Sequence, residues 1–245
     1  MNQSYSHFVS FTRVNMKLFV VLAFALTTVV FAEVDDEELS RIAMQNPDLF
    51  GGDMAGIDGP NDPERNAIPQ TRYRWPGAKV PYVIDSSLST KTDLILRGMK
   101  NYHDRTCVKF VPRTVEQDYI RIFSGQGCYS NVGRIGGQQP VSLGVGCHYV
   151  GTVVHELAHA LGFYHEQNRS DRDQFLIIYL ENVRRGMESN FVKLSYAQNL
   201  LFTPFDYDSV MIYGNKAFSK DGRSDTMVAK NGQKLLDPYY KQGMT

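Results

Sequence analysis

The sequence has few cysteines, no excess charge of either sign and no long apolar run. Its 245 residues include three Cys and one Trp, and 26 basic side chains balance 26 acidic ones. A net charge of zero argues against a nucleic-acid-binding protein, because such proteins carry a strong basic excess. The longest apolar run, residues 18–31, is shorter than the roughly 20 residues that cross a bilayer. This excludes a multi-span membrane protein and predicts no stable membrane insertion.

The charges are distributed unevenly along the chain. In residues 1–32, the basic Lys17 precedes the apolar run, and small side chains lie at the end of that run. This pattern predicts a secretory signal peptide cleaved after Ala32. A membrane anchor is the alternative. Residues 33–65, the leader, hold ten acids and two arginines and are rich in turns. They predict a propeptide or linker with one helix at residues 37–44 and no other helix or strand of useful length. Residues 66–245, the body, are net basic, so the two segments should attract each other unless the leader is only a solvated tail.

The body alternates strand and helix signals. Four strands are predicted from apolar alternation: residues 80–84, 107–111, 119–123 and 141–143. Ser89 or Thr90 would cap a helix that follows the first strand. Further helices are predicted over residues 152–161, ended by Gly162, and around residues 181–192.

Three cysteines in a secreted chain leave one without a partner. Cys128 and Cys147 flank a glycine-rich stretch and are the natural pair, which predicts a disulfide. Cys107 is then either a free thiol or bonded to a cysteine beyond Thr245, in which case the sequence is incomplete.

Three of the six histidines fall within one eleven-residue stretch, HELAHALGFYH at residues 155–165. Residues four apart share a face of a helix, so His155 and His159 can point at one ion. Gly162 tolerates a positive φ, which lets the chain turn and bring His165 to the same ion. Three neutral imidazoles with an open fourth position are typical of a catalytic Zn²⁺.

The same stretch supplies a candidate general base. Glu156 follows the first histidine directly, so it can reach a zinc-bound water without binding the ion. Zinc lowers the pKa of its bound water towards about 7, and a base beside that water suits peptide hydrolysis. A structural zinc protein is the alternative, but it would have no use for an open position or for this glutamate.

These motifs resemble the astacin family of the metzincin zinc endopeptidases. The resemblance rests on the histidine stretch, on its continuation HEQNRSDRD and on a later segment, DYDSVMIY, that is similar to the methionine turn of the clan. Further similar motifs are RWP, VPY, TCVKF and the VGR and GQ elements between the paired cysteines. Together they run from about residue 50 to about residue 237.

The resemblance implies an α+β fold. It would contain a twisted, mostly parallel five-stranded sheet, two long helices above the substrate cleft, and an irregular lower subdomain. Residues 1–32 would be the signal peptide, 33–65 an acidic propeptide with an aspartate switch, and 66–245 the peptidase domain. The terminal segment of the family, whose cysteine bonds to the one matching Cys107, is missing from this sequence, so the chain would be truncated at its C-terminal end.

The resemblance also implies roles for individual residues. Tyr213 would stabilise the oxyanion of the tetrahedral intermediate, and Met211 would form the apolar floor beneath the histidines. Glu166 would meet the new N-terminus formed on activation. Asp53, in the FGGD motif of the leader, would occupy the open position of the zinc in the zymogen.

Activation would follow cleavage after Arg65 by a trypsin-like protease, which leaves Asn66 as the new N-terminus. Ile212 stands where the family commonly has histidine, and Asn168 begins a glycosylation sequon. The implied function is a secreted, zinc-dependent endopeptidase acting on proteins or peptides. The alternative is a catalytically silent binding module or a truncated, inactive fragment.

Overall fold

The computed structural model describes residues 35–57 and 71–245. The predicted signal peptide and the predicted cleavage site between Arg65 and Asn66 lie outside these residues. In the described part of the chain, no helix is both long enough and apolar enough to cross a membrane.

A six-stranded sheet forms the upper half of the described structure. Its strands are β1 (Met54–Ala55), β2 (Lys79–Ile84), β3 (Lys109–Pro112), β4 (Tyr119–Phe123), β5 (Cys128–Asn131) and β6 (Gln138–Leu143). They lie in the order β1-β5-β6-β4-β2-β3, and each neighbouring pair is parallel except β5 with β6. The predicted α+β fold with a mostly parallel sheet is confirmed.

Five of these strands belong to the body, as expected, and the sixth belongs to the leader. Met54 pairs with Ser130 and Ala55 with Asn131, so β1 extends the sheet beyond β5. The sequence predicts no strand of useful length in the leader, and β1 is only two residues long. An edge strand presents unpaired backbone groups, and β1 satisfies those of β5.

Three α-helices accompany the sheet in the described residues: α1 (Asp36–Ala43), α2 (Thr92–Arg105) and α3 (Val150–Leu161). The leader helix α1 begins at Asp35, whose side chain accepts a hydrogen bond from the Glu38 backbone. The predicted cap of α2 by Ser89 or Thr90 was wrong, because a 3-10 turn over Ser86–Lys91 precedes it. Helix α3 is buried along most of its length and ends at Gly162, as predicted.

The chain after α3 is the irregular lower half that the resemblance implied. The helix predicted around residues 181–192 was wrong, because two 3-10 turns, Leu180–Asn182 and Glu188–Phe191, occupy that segment. Gly186 between them has φ +89°, which interrupts any right-handed helix. A small antiparallel sheet also lies in this half, formed by β7 (Leu176–Ile178) and β8 (Met227–Ala229).

The predicted disulfide between Cys128 and Cys147 is present, with the two Cα atoms 5.6 Å apart. It connects β5 to the segment that enters α3, and both cysteines are fully buried. Cys107 is exposed and unpaired within the described residues. The disulfide therefore fixes the β5–β6 hairpin beside the helix that carries the histidine stretch.

Helices α2 and α3 approach each other closely at Gly98. A Cβ atom at this position would lie 2.4 Å from Val153 Cγ1 and 2.9 Å from Val153 Cβ. We expect Gly98→Ala to lower the free energy of unfolding by about 1–2 kcal/mol, because this overpacking outweighs the gain in helix propensity. Urea denaturation measures the loss, and adding Val153→Ala should recover part of it. Full stability of the single variant would contradict the close packing.

Candidate metal centre

Helix α3 and the turn that follows it bring three histidines together. His155 and His159 lie one helical turn apart with their Nε2 atoms 3.1 Å from each other. Gly162, at φ +110°, ends the helix and donates its N–H to the carbonyls of the preceding turn. His165 returns to the same point, and its Nε2 lies 3.3 Å from that of His155. All three side chains are buried, so the structure brings together the three predicted ligands.

Backbone carbonyls set the orientation of two of these rings. His155 Nδ1 lies 2.7 Å from the Val210 carbonyl oxygen, and His159 Nδ1 lies 2.7 Å from the Phe163 carbonyl oxygen. Because a carbonyl oxygen only accepts hydrogen bonds, each Nδ1 carries the proton and donates it. The lone pair of each ring is then on Nε2, and the hydrogen bond directs it to the shared point. Burial lowers the pKa of His155 to about 4 and also lowers that of His165. Neutral imidazoles are the form that binds metals.

The carboxylate of Asp53 closes this cluster from the leader. Its Oδ2 lies 3.0 Å from His155 Nε2, and its Oδ1 lies 3.3 Å from His159 Nε2 and 3.1 Å from His165 Nε2. One ligand atom from each of the four residues lies within 4.8 Å of the others. Asp53 is fully buried and its Oδ1 has no hydrogen-bond partner among the described residues.

This donor set fits zinc. A tetrahedral zinc site with bonds of about 2.0–2.1 Å separates neighbouring ligand atoms by about 3.3–3.4 Å. The spacing between His155 Nε2 and the other two Nε2 atoms is 3.1–3.3 Å, close to that value. Converging lone pairs of imidazoles and a carboxylate repel one another unless a cation lies among them. The geometry and the buried carboxylate oxygen therefore agree with a single metal ion.

Two glycines allow the leader backbone to pass close to the histidines. Gly51 and Gly52 have φ values of +68° and +91°. A Cβ on Gly51 would lie 2.7 Å from His165 Cε1, and one on Gly52 would lie 2.5 Å from the Met44 carbonyl oxygen. The Asp53 carbonyl then accepts a hydrogen bond of 2.9 Å from Ser130 N in β5. The leader backbone is thus held against β5 directly after it passes His165.

Glu156 lies beside the cluster without joining it. Its side chain is completely buried, and neither carboxylate oxygen has a hydrogen-bond partner among the described residues. Burial, and then the charge of Asp53, raises its pKa well above the usual value. A buried carboxyl without a partner is costly, which indicates that its stabilising partner is a ligand, a water or an ion.

The turn at residues 209–213 contacts the histidines through the Val210 carbonyl oxygen, which lies 2.7 Å from His155 Nδ1. The Met211 carbonyl accepts a hydrogen bond of 3.0 Å from Glu166 N. Lys241 Nζ donates to the carbonyls on either side, 2.6 Å to Ser209 and 3.0 Å to Ile212. Lys241 could not be predicted from the sequence, because no local motif marks a lysine that contacts backbone oxygens 29 and 32 residues away.

Tyr213 ends this turn with its ring against the histidines, 4.6 Å from His165 between ring centroids. Its hydroxyl contacts Asp53 Oδ2 and lies 2.9 Å from the Met44 carbonyl oxygen. Burial, and then the charge of Asp53, raises the pKa of Tyr213 well above its usual value. The hydroxyl therefore keeps its proton and can act as a hydrogen-bond donor.

Two other predicted residues make contacts of their own. The Glu166 carboxylate accepts from Arg169 and from Asp206 N, each at 3.0 Å; its predicted contact with a new N-terminus stays a prediction. Asn168 is buried and its Nδ2 donates to the carbonyls of Asn190 and Val192. In the folded chain the sequon amide is therefore not accessible for glycosylation.

Comparison with known proteins agrees with this geometry. The sequence model of the peptidase family described as Astacin matches residues 67–238. Astacin-like metalloprotease toxin 1 of Loxosceles intermedia is 49% identical over 177 residues, covering 71% of this chain and 67% of that protein. Zinc metalloproteinase nas-4 of Caenorhabditis elegans is 42% identical over 201 residues, covering 80% of this chain and 61% of that protein.

A solved structure also shares the fold. High choriolytic enzyme 1, a hatching enzyme zinc-protease from Oryzias latipes, superposes with a TM-score of 0.64 and 40% sequence identity. The match covers 70% of this chain and 86% of that one.

Proposed function

The chain belongs to the astacin family of zinc metalloproteases, and from this membership we propose that it is a secreted endopeptidase made as a latent precursor. One observation carries the proposal. Three buried histidines converge through Nε2 on a single point, and a carboxylate from the acidic leader closes that point. The substrates would be proteins or peptides, hydrolysed at internal peptide bonds.

His155, His159 and His165 would hold one zinc ion. When bound, zinc lowers the pKa of a water and polarises the carbonyl of the scissile bond. The chain orients the ligands through the carbonyls that accept from Nδ1. Removing either carbonyl contact would let the ring rotate and weaken the metal site.

Glu156 would act as the general base. It lies next to a metal ligand along the helix, and its two carboxylate oxygens have no other partner among the described residues. It would accept a proton from the attacking water and later donate it to the leaving amine. The burial of this carboxyl supports the role, because it excludes bulk water from the proton transfer.

Tyr213 would stabilise the oxyanion. Its hydroxyl keeps its proton and lies beside the metal ligands, where it can donate to an oxygen that gains negative charge. In the structure this hydroxyl contacts Asp53 and the carbonyl of Met44, both in the leader. Departure of the leader would free it for the substrate.

We expect Tyr213→Phe, in the cut and zinc-loaded chain, to reduce kcat by about 10²-fold and to change KM little. The hydroxyl is needed only when the oxyanion forms, and one oxyanion donor is typically worth about that factor or more. Steady-state kinetics with a quenched fluorescent peptide measure both constants, and metal analysis checks that zinc is retained. An unchanged kcat would make Tyr213 a packing residue only.

The leader would hold the enzyme latent until it is cut. Asp53 would occupy the position that the water needs, while α1 and β1 bind the leader to the body. A trypsin-like protease would cut after Arg65 and leave Asn66 at the new N-terminus. The signal-like residues 1–32 and the buried disulfide support secretion.

A peptidase assay with and without a chelator tests the proposal. The full chain, cut with limited trypsin and loaded with zinc, should hydrolyse casein and fluorogenic peptides. Activity should disappear with 1,10-phenanthroline and return with added zinc. A zinc-loaded, cut chain that binds peptides without cleaving them would support a silent binding module instead.

A further inference from the structure

Asn190 places a polar acceptor against the leader segment that covers the metal centre. Its Oδ1 accepts a hydrogen bond of 2.9 Å from the backbone N–H of Gly51, and the bond is buried. Gly51 lies two residues before Asp53, and a Cβ on it would be 2.7 Å from His165 Cε1. The acceptor therefore contacts the leader backbone where that backbone passes over a metal ligand.

The position of Asn190 depends on the body rather than on the leader. Its carbonyl accepts from Asn168 Nδ2 at 3.0 Å, and its N–H donates to the Met187 carbonyl at 3.1 Å. Its Nδ2 lies 3.7 Å from Met187 Sδ, which orients the amide so that Oδ1 faces the leader. The next residue, Phe191, is buried and packs edge-on against Phe218. The side chain should keep this orientation when the leader leaves.

Departure of the leader removes the partner of Oδ1. The amide oxygen then accepts from water, and a peptide N–H brought to the same point can replace that water without the amide having to reorient. Its present donor is the backbone of a glycine, so the contact needs no side chain on the partner. Gly51 has φ +68° and a Cβ on it would contact His165, so an extended peptide with side chains would bring its N–H to Asn190 along a path displaced from that of the leader.

We propose that Asn190 Oδ1 binds one backbone N–H of the peptide substrate, within two residues of the scissile bond on the His165 side of the cleft. The inference rests on the proposed peptidase function. The edge of β5, which pairs with β1 of the leader, would bind the opposite side of the same peptide. Proline at the contacted position is disfavoured, because it has no N–H.

The test pairs variants of Asn190 with a set of peptides that carry one N-methylated amide each. The protein is the full chain, loaded with zinc, cut, and separated from its leader. For the parent enzyme, N-methylation at one position should lower kcat/KM about 10-fold more than at neighbouring positions. Asn190→Ala should lower kcat/KM for the unmethylated peptide about 10-fold, mainly through KM. For this variant, N-methylation at the critical position should cause no further loss of kcat/KM.

Two further variants complete the cycle. Ser189→Ala changes an exposed neighbour and should keep the kinetics and the N-methyl profile of the parent. Asn190→Asp keeps an acceptor and gives it a charge, which strengthens its hydrogen bond with the peptide N–H. N-methylation of that amide should therefore lower kcat/KM by a larger factor than in the parent. This variant carries the test if Asn190→Ala does not fold, as judged by circular dichroism.

The inference is overturned if Asn190→Ala cleaves like the parent, or shows the N-methyl profile of the parent. It is also overturned if the variant changes only the latency of the uncut chain, because Asn190 then binds the leader alone. An N-methyl penalty that Asn190→Asp leaves unchanged overturns it as well. Absence of chelator-sensitive hydrolysis by the parent contradicts the proposed function itself, so the two failures are distinguishable.

Discussion

Glu156→Gln is expected to lower kcat for peptide hydrolysis by about 10²–10⁴-fold, the range typical for loss of a general acid–base group. Glutamine has nearly the same shape but cannot accept and return the proton. The three histidines are unchanged, so zinc should stay bound at one ion per chain. Single-turnover kinetics on the cut enzyme, together with metal analysis, measure both properties.

His159→Ala is the matched variant for this prediction. It removes one of three imidazoles from the same helix, and the remaining two should hold zinc poorly. Zinc content and activity should therefore fall together in His159→Ala, whereas only activity falls in Glu156→Gln. Loss of zinc from Glu156→Gln, or near-normal turnover by it, would remove Glu156 from the proposed mechanism.

Elements with a strong local pattern could be predicted from the sequence. Helix α3 combines an apolar sequence with a terminal glycine, and the structure begins it within two residues of the predicted start. The helix predicted around residues 181–192 does not form. The charged and apolar residues of this segment are compatible with a helix, but Gly186 at φ +89° interrupts it. β1 has only two residues, so no periodicity exists in it. Its pairing with β5 is a tertiary contact that local sequence does not encode.

The candidate metal centre likewise contains residues that a local sequence pattern marks and residues that no such pattern marks. The spacing of His155, His159 and His165 follows from helix geometry and one turn, so the cluster could be predicted locally. Asp53 is one of ten acids in the leader, and only its resemblance to a family motif singled it out. Asn190 and Lys241 bind backbone groups that are distant in sequence. Such contacts become visible only when the fold is known, because any polar side chain can bind a backbone.

We propose from the contacts of Asp53 that its carboxylate keeps the uncut chain latent. It touches all three histidines and the Tyr213 hydroxyl, so it would fill the open ligand position of the metal and also engage the proposed oxyanion donor. The other leader elements, α1 and β1, also contact the body. Helix α1 packs against Gly127 and Gly146, where an added Cβ would lie 2.5 Å from the Ala43 carbonyl oxygen and 2.8 Å from the Leu39 carbonyl oxygen, and β1 pairs with β5. Removing the carboxylate should therefore destabilise the closed state, so that the leader leaves the metal centre more often although the chain is uncut.

The decisive comparison uses Arg65→Ala chains, which a trypsin-like protease does not cut at the predicted site. In this background, Asp53→Ala is expected to raise the peptidase activity of the uncut chain by about 10²–10³-fold. Removing one partner of a buried charged contact costs about 3–5 kcal/mol, and here that loss falls on the closed state. Hydrolysis of a fluorogenic peptide measures the activity, and electrophoresis confirms that the chain is uncut.

Asp48→Ala is the matched control, because it removes the same charge from an exposed position of the same leader. If electrostatic attraction between the acidic leader and the basic body caused latency, both substitutions would raise activity alike. If Asp53 blocks the metal, Asp48→Ala stays as latent as the parent. Asp53→Asn keeps the shape of the side chain but weakens metal binding, so its activity should lie between those of the parent and of Asp53→Ala. An Asp53→Ala chain as inactive as its parent would assign latency to α1 and β1 instead, because those two elements would then close the cleft without the carboxylate.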